Sequence, residues 1–235
     1  MLLLLHPVGL DHDCWRFTGL DAITPDYPGH GGRDFDPDRY SLASIADEIA
    51  DTHDGRFDVV GLSMGSHVAQ YLAVRHPQRV RSLLLCCGSL GGTPETAAAI
   101  TTDDRADETR ELGMAGILDS TLRRWFTPEL LARPDHRALV YTRDRLLTDN
   151  VEAVAASWLA IRRNAVADEL AGLRVPTTVL GGRADSAATP DRVLRLALAI
   201  PHSRLEIIDG PHMLQLERPD DFAAAVRRHL DWAAA

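Results

Sequence analysis

The sequence predicts an α/β fold, a doubly wound and mostly parallel sheet of about six strands with an inserted helical cap. Two observations predict the sheet: short apolar runs bounded by turn residues, and helical patterns that alternate with them. A third observation, one interval of roughly ninety residues without a strand, predicts the insertion. At 235 residues, the chain has the length of one domain of this class.

The strand predictions follow from apolar composition. Parallel strands are covered on both faces, so they are apolar at nearly every position. Between the strands, helical segments often open with the Ser, Thr or Pro residues that favour helix starts. The predicted strands are residues 2–5, 21–24, 57–62, 82–87, 177–180 and 204–208, and the predicted helices between them are 41–53, 64–76, 190–200 and 220–232.

The long interval between the fourth and fifth predicted strands exceeds what one crossover helix requires. Helical periodicity recurs there at 108–125, 135–147 and 150–163, with breaks at Pro128 and Pro134. We therefore expect a core made of residues 1–90 and 170–235, and an all-helical cap made of residues 91–169. Ligands of open α/β sheets bind at the carboxyl ends of the strands, so cap residues should line the pocket.

A pentapeptide between a predicted strand and a predicted helix carries the first chemical signal. Gly61-Leu62-Ser63-Met64-Gly65 has the G-x-S-x-G pattern of a nucleophile elbow, a sharp turn that exposes a serine. Small residues two positions before and after the serine let the strand and the helix pass close together. Ser63 is therefore the candidate nucleophile.

A serine hydroxyl needs a neighbouring base and a group that orients the base. Asp185 follows the strand at 177–180 and His212 follows the last strand, which gives the chain order Ser, Asp, His. His212 would move the proton and Asp185 would hold the imidazole. Asp209 is the main rival to Asp185. Singly, each residue also has an ordinary structural interpretation, as a helix cap or a loop residue.

The same chemistry needs two backbone N–H groups for the oxyanion. One belongs to the residue after the nucleophile and the other to the loop after the first strand. Met64 and Val8 occupy these positions, and Gly9 supplies the glycine that such a loop needs. His67, one turn along the elbow helix, is expected to be packed.

Taken together, these motifs resemble the alpha/beta-hydrolase fold family, from His6-Pro7-Val8-Gly9 through the elbow to Pro211-His212. Within that family the chain is similar to 3-oxoadipate enol-lactonases, through residues 122–128 and 182–190. The resemblance implies cleavage of a small ester or lactone, with the cap over the serine. Members usually carry two more strands at the start, Gly in place of Ser66, and Asp in place of Asn164.

In the cap, aromatic and basic residues are candidates for substrate binding. Trp125 and Trp158 form pocket walls in one interpretation and join cap helices in the other. Arg124 and Arg162 could bind a substrate carboxylate in bidentate fashion, although arginines on helices are often solvated ion-pair partners.

Composition and charge limit the class of partner. The formal net charge is −9, and no basic cluster offers a surface for nucleic acid. The leucines at 2–5 lack the basic leader and cleavage site of an export signal, and no membrane span is indicated. Three cysteines without a metal or disulfide spacing favour a cytoplasmic setting, and no cofactor or metal motif is present. The expected partner is a small-molecule substrate, and the oligomeric state stays open.

The sequence therefore favours a cofactor-independent serine hydrolase that forms an acyl-enzyme on Ser63. One alternative is a carbon–carbon bond hydrolase, a lyase or a cyclase, because the same triad is reused for other chemistry. Another is a ligand-binding relative that has kept the fold and lost catalysis.

Overall fold

Five parallel strands form the central sheet in the computed structural model, which describes residues 1–91 and 102–235. They are β1 (Leu2–Leu5), β2 (Phe57–Leu62), β3 (Val80–Cys86), β4 (Thr177–Gly182) and β5 (Arg204–Ile208). Their order in the sheet is their order in the chain, and every pairing is parallel. The prediction of a parallel α/β sheet is confirmed.

The predicted strand at residues 21–24 is reduced to one bridge between Ile23 and Leu3 of β1. The Leu4 N–H donates to the Ile23 carbonyl at 2.9 Å, and the Ile23 N–H donates to the Leu2 carbonyl at 3.0 Å. The next residue to face β1 is Pro25, which has no N–H to donate. The ladder therefore stops after one residue, and the sheet has five strands in place of the expected six.

This bridge places the topological switch point of the sheet. The chain leaves β1, touches its outer edge at Ile23, and returns to form β2 on the other side of β1. In open α/β sheets, ligands bind where neighbouring connections leave in opposite directions at the carboxyl ends of the strands. The loop after β1 and the turn after β2 both lie at this point.

Among the described residues, the helices before β3 and after β4 are α1 (Leu42–Thr52), α2 (Met64–Arg75), α8 (Pro190–Ala199), α9 (Leu214–Glu217) and α10 (Pro219–Ala234). Ser41 and Ser44 form a capping box at the start of α1, which satisfies backbone N–H groups that a helix start leaves open. Short 3-10 turns occupy His12–Trp15, Pro37–Arg39 and Pro77–Arg79.

Between β3 and β4, the described part of the chain is helical: α3 (Thr102–Trp125), α4 (Pro128–Leu131), α5 (Arg137–Thr148), α6 (Val151–Arg162) and α7 (Ala167–Leu170). Gly113, with φ 66° and ψ 176°, divides α3 into two helical segments. Helix α3 packs against α5 and α6, so the three predicted helical stretches form one layer. The core and cap boundaries themselves stay a prediction.

The leucine run at residues 2–5 is strand β1. Leu3, Leu4 and Leu5 are completely buried in the main hydrophobic core. Across residues 1–91 and 102–235, no helix has both the length and the apolar character needed to span a bilayer.

Candidate active site

Ser63 stands on the sharp turn between β2 and α2. Its backbone has φ 55° and ψ −115°, a region that residues with a side chain rarely adopt. The Ser63 N–H donates to the Cys86 carbonyl at 2.9 Å, which ties the turn to the end of β3. Such backbone strain costs on the order of 1–3 kcal/mol and is found mainly at functional sites. Here the turn brings the Ser63 hydroxyl to the wall of a cavity.

Close backbone approach explains the two glycines of the elbow. A Cβ at Gly61 would lie 2.1 Å from the Gly65 carbonyl oxygen, and a Cβ at Gly65 would lie 1.9 Å from the Leu5 carbonyl oxygen. Both obstacles are main-chain atoms of the strand-to-helix junction, so no side-chain rotation relieves them. The glycines allow α2 to start directly beside β1.

We expect Gly65→Ala to lower the stability of the protein, because α2 would have to move away from β1. Overpacking of this kind costs about 1–3 kcal/mol, which lowers the melting temperature by roughly 2–12 °C in a chain of this size. Thermal unfolding followed by circular dichroism measures the change. Gly172→Ala is the control, since its Cβ would meet only the Glu169 carbonyl oxygen at 3.2 Å. Equal melting temperatures for the two variants would contradict the close-approach explanation.

Three polar side chains from separate loops form a hydrogen-bonded series. The Ser63 Oγ lies 2.9 Å from His212 Nε2, and His212 Nδ1 lies 2.8 Å from Asp185 Oδ2. The other carboxylate oxygen of Asp185 accepts the N–H groups of Ala187 and Ala188 at 2.7 and 2.8 Å. These two bonds hold Asp185 Oδ1 in place, so that Oδ2 is the oxygen that faces the imidazole.

Asp209, the rival orienting acid, lies elsewhere. Its carboxylate accepts from Arg183 Nε at 2.7 Å, and the Asp209 side chain is 77% exposed. Asp185 has a side chain with no exposed surface. The buried carboxylate next to His212 is therefore Asp185.

His212 lies in an environment that favours its charged form. Burial alone lowers the pKa of the His212 imidazole, but the charge and hydrogen bond of Asp185 raise it above its usual value. Asp185 thus stabilises the imidazolium that forms when His212 takes a proton. The nearby Cys87 thiol stays protonated, because its hydrogen bond to Cys86 and its burial raise its pKa.

Asp185, His212 and Cys87 also form the one group of three potential metal ligands close together in the described residues, with donor atoms within 4.8 Å of one another. Two of the three are already joined by the hydrogen bond of the series. Their proximity is accounted for by the arrangement around Ser63.

The two candidate oxyanion donors lie at the switch point. Met64 is the first residue of α2, where a backbone N–H has no acceptor within the helix. Val8 is buried in the loop after β1, followed by Gly9 at φ 69°. A Cβ at Gly9 would lie 2.8 Å from Leu146 Cδ2, so the loop passes close to helix α5.

Two sets of contacts hold the loop after β1. Burial lowers the pKa of His6 well below its usual value, so the ring is neutral. Its Nδ1–H donates to the Pro7 carbonyl at 2.8 Å, and its Nε2 accepts the Tyr27 N–H at 3.3 Å. From helix α5, Tyr141 Oη donates to Asp11 Oδ1 at 2.7 Å, and Arg145 Nε lies 2.9 Å from Asp11 Oδ2. No local sequence pattern indicates these contacts between α5 and the loop after β1.

A cavity of about 270 Å³ lies over the Ser63 hydroxyl and the His212 ring. Three of the four predicted substrate-binding residues line it: Trp125, Trp158 and Arg124. Arg162 is not among the described residues that line the cavity. Arg105, Arg192 and His67 line it and were not predicted as binding residues.

The cavity has a positively charged wall. Burial, together with the charges of Arg105 and Arg192, lowers the pKa of Arg124 to about 10. Burial also lowers the pKa of Arg105, whose guanidinium lies 5.4 Å from the centre of the Trp158 ring. No Asp or Glu is found among the described cavity-lining residues. An anionic group entering the cavity would relieve this repulsion.

The helical layer is attached to the core beside His212. The Met213 N–H donates to the Trp125 carbonyl at 3.2 Å, and Thr127 Oγ1 donates to Glu217 Oε1 at 2.5 Å. Glu217 Oε2 also accepts the Thr127 N–H at 3.1 Å. The end of α3, which carries Arg124, is thereby fixed next to the loop of the catalytic histidine candidate.

Comparison with known proteins gives one consistent result. A family model described as "Alpha/beta hydrolase family" matches residues 2–225. The chain is 25% identical over 235 residues to 3-oxoadipate enol-lactonase 1 of Acinetobacter baylyi, covering 94% of this chain and 85% of that protein. It is 30% identical over 216 residues to a pimeloyl-[acyl-carrier protein] methyl ester esterase of Neisseria meningitidis, covering 86% and 79%. The crystal structure of an enol-lactonase from Burkholderia xenovorans matches with a TM-score of 0.87 at 29% identity, covering 98% and 90%.

Proposed function

The chain belongs to the alpha/beta hydrolase family, and we propose that it is a serine hydrolase that cleaves a small carboxylic ester or lactone through an acyl-enzyme on Ser63. The hydrogen-bonded series from Ser63 through His212 to Asp185 carries this proposal. A hydroxyl, an imidazole and a buried carboxylate in this succession are the groups that acyl transfer requires. The likeness to an enol-lactonase and to a methyl ester esterase supports the choice of an ester bond.

In the first half of the reaction, His212 Nε2 takes the Ser63 proton as Oγ attacks the carbonyl carbon of the ester. The carbonyl oxygen becomes an oxyanion that accepts the N–H groups of Val8 and Met64. When the tetrahedral intermediate collapses, His212 gives its proton to the departing alkoxide. With a lactone, the freed hydroxyl stays on the acyl group.

In the second half, His212 takes a proton from water, and the resulting nucleophile attacks the acyl carbon. A second oxyanion forms in the same place and collapses to release the acid, while His212 returns the proton to Ser63 Oγ. Asp185 remains ionised throughout and holds the imidazole with Nδ1–H towards its own Oδ2. No step needs a cofactor.

A panel of aryl esters, lactones and enol-lactones tests the proposal, with Ser63→Ala assayed in parallel. We expect saturable hydrolysis of esters or lactones, with a rapid first release of the alcohol and loss of turnover in the variant. Activity confined to carbon–carbon bonds of diketones would overturn the ester assignment. Turnover that survives in Ser63→Ala would overturn the covalent route.

We further propose that Arg124 binds a carboxylate of the substrate. Arg105 is the second arginine at this carboxylate, the role for which the sequence suggested Arg162. Arg124→Gln should lower kcat/KM for carboxylated aryl esters about tenfold to a hundredfold relative to neutral ones, because a hydrogen bond to a charged group is lost. The measurement is the ratio of the two kcat/KM values. Arg162→Gln is the matched control and should leave this ratio unchanged. An unchanged ratio in Arg124→Gln would contradict the role of Arg124.

A further inference from the structure

His67 lies on the wall of the cavity one helical turn after Ser63. The His67 N–H donates to the Ser63 carbonyl at 3.4 Å, which links the two residues through the first turn of α2. The His67 ring is almost completely buried, yet it is one of the side chains that line the cavity. The mechanism of acyl transfer gives this histidine no task.

A buried hydrogen-bond series fixes the orientation of the His67 ring. The series starts at the Ser89 carbonyl oxygen, which can only accept, and which lies 3.3 Å from Gln70 Nε2. The Gln70 amide oxygen is therefore free to accept from Asn164 Nδ2, at 3.3 Å. The same Asn164 nitrogen lies 2.8 Å from His67 Nδ1.

The donor and the acceptor of each hydrogen bond in this series follow from the backbone groups at its ends. Asn164 Oδ1 accepts the Val166 N–H at 3.4 Å, which agrees with the assignment of the amide nitrogen. An amide nitrogen donates and does not accept, so His67 Nδ1 must be the acceptor. Burial lowers the pKa of His67 to about 4, so the ring is neutral and carries one N–H. That N–H is on Nε2.

With Nδ1 turned towards Asn164, the edge of the ring with Nε2 is the edge left for the cavity. No hydrogen-bond partner of His67 Nε2 is present among the described residues. The cavity wall around it is rich in hydrogen-bond donors, because Arg105 and Arg124 line the same cavity. No carboxylate is found among the described lining residues. The complement of such a wall is an acceptor oxygen.

We propose that His67 is a specificity-determining residue whose Nε2–H donates to a carbonyl or carboxylate oxygen in the acid part of the substrate. Asn164, with Gln70 behind it, is the positioning residue that keeps the hydrogen on Nε2. The identity of the acyl group in this inference rests on the proposed function. The tautomer of His67 does not depend on the proposed function. The expected substrate is an ester or lactone of an oxo acid or a dicarboxylic acid, with the second oxygen a few bonds from the scissile carbonyl.

The structure explains why such a donor selects strongly. A buried N–H without a partner is costly, so a site built to donate rejects an analogue that lacks the acceptor. A plain alkyl ester bound in the cavity would leave His67 Nε2–H without an acceptor on the substrate. The oxo or carboxylate analogue would satisfy it.

The tautomer is tested by ¹⁵N NMR of the labelled full-length protein between pH 6 and pH 8, with His67→Gln to assign the ring. We expect a protonated Nε2 and a bare Nδ1 for His67, and a shift of the Nε2–H signal when 4-oxopentanoate binds. Protonated Nδ1, a charged ring, or an Nε2–H signal that does not respond to 4-oxopentanoate would overturn the proposal. This readout needs no turnover, so it separates failure of the inference from failure of the proposed function.

The selectivity is tested with two phenyl esters of equal length, the 4-oxopentanoate and the pentanoate. The ratio of their kcat/KM values should fall about fivefold to tenfold in His67→Phe, the value of one neutral hydrogen bond, and recover in part in His67→Gln. Tyr71→Phe is the matched control, because it removes the hydrogen bond of Tyr71 to the Ala165 N–H on the same segment as Asn164. Its ratio should equal that of the wild type. An unchanged ratio in His67→Phe would overturn the role in specificity.

Discussion

Ser63→Ala should reduce turnover of aryl esters by about a millionfold, to a level set by the remaining groups of the site. The alanine keeps the Cβ and the backbone of the elbow, and removes the one oxygen placed 2.9 Å from His212 Nε2. Without it no acyl-enzyme forms, although the donors at Val8 and Met64 remain. Single-turnover kinetics with a phenyl ester measure the loss, and the circular dichroism spectrum should match that of the wild type.

Ser66→Ala provides the matched control for this substitution. Ser66 lies three residues further along α2, and its buried Oγ has no hydrogen-bond partner among the described residues. We expect turnover in this variant to stay within a few-fold of the wild type. If Ser63→Ala retained turnover while Ser66→Ala lost it, the nucleophile would be assigned wrongly.

Asp185→Asn should lower kcat by about ten-thousandfold while leaving the substrate cavity intact. An amide in this place can present its NH₂ group to His212 Nδ1, which would favour the tautomer with hydrogen on Nε2. That tautomer cannot accept the Ser63 proton. The measured quantity is kcat across a range of pH.

The same variant should also change the pH profile. Only neutral His212 can act as the base, so activity rises with pH through the pKa of this histidine. Burial lowers that pKa, while the charge and the hydrogen bond of Asp185 raise it, so removing the carboxylate charge removes the largest raising effect. The acid limb of kcat/KM should therefore move to lower pH in Asp185→Asn. A move to higher pH would contradict the assigned partner.

Asp209→Asn is the control for Asp185. Asp209 lies three residues before His212, and its exposed carboxylate pairs with Arg183, so the substitution makes the same chemical change outside the hydrogen-bonded series. We expect neither kcat nor the pH profile to change. A larger loss of kcat in Asp209→Asn than in Asp185→Asn would show that Asp209, and not Asp185, orients His212.

The elbow and the order of the three candidate catalytic residues were predictable because their signals are local. The Gly61 and Gly65 positions follow from close packing at a single strand-to-helix turn, and Asp185 and His212 each follow a strand that the sequence predicted. The carboxyl ends of parallel strands lie at one edge of a sheet, so residues distant in sequence meet there. The prediction of a strand at residues 21–24 was wrong because Pro25 ends the hydrogen-bond ladder after one residue.

The cavity wall was less predictable because it depends on how helices rotate and pack. Arg124 and Arg162 lie on different helices, and sequence periodicity alone did not show which of them turns to the cavity. Arg105 was missed because α3 begins at Thr102, before the predicted helix at 108–125. His67 was expected to be packed, and the property that distinguishes it comes from Asn164, 97 residues away in the chain.

In the proposed hydrolase, Ser63 is the nucleophile and His212 activates it. Labelling with a fluorophosphonate followed by mass spectrometry of the peptides tests this assignment most directly, because this reagent is attacked by activated serines. We predict one adduct per chain, on Ser63, which disappears in Ser63→Ala and forms far more slowly in His212→Ala. No adduct on the folded protein, or an adduct on Ser66, Ser89 or Ser186 at the same rate in Ser63→Ala, would show that Ser63 is not the activated nucleophile.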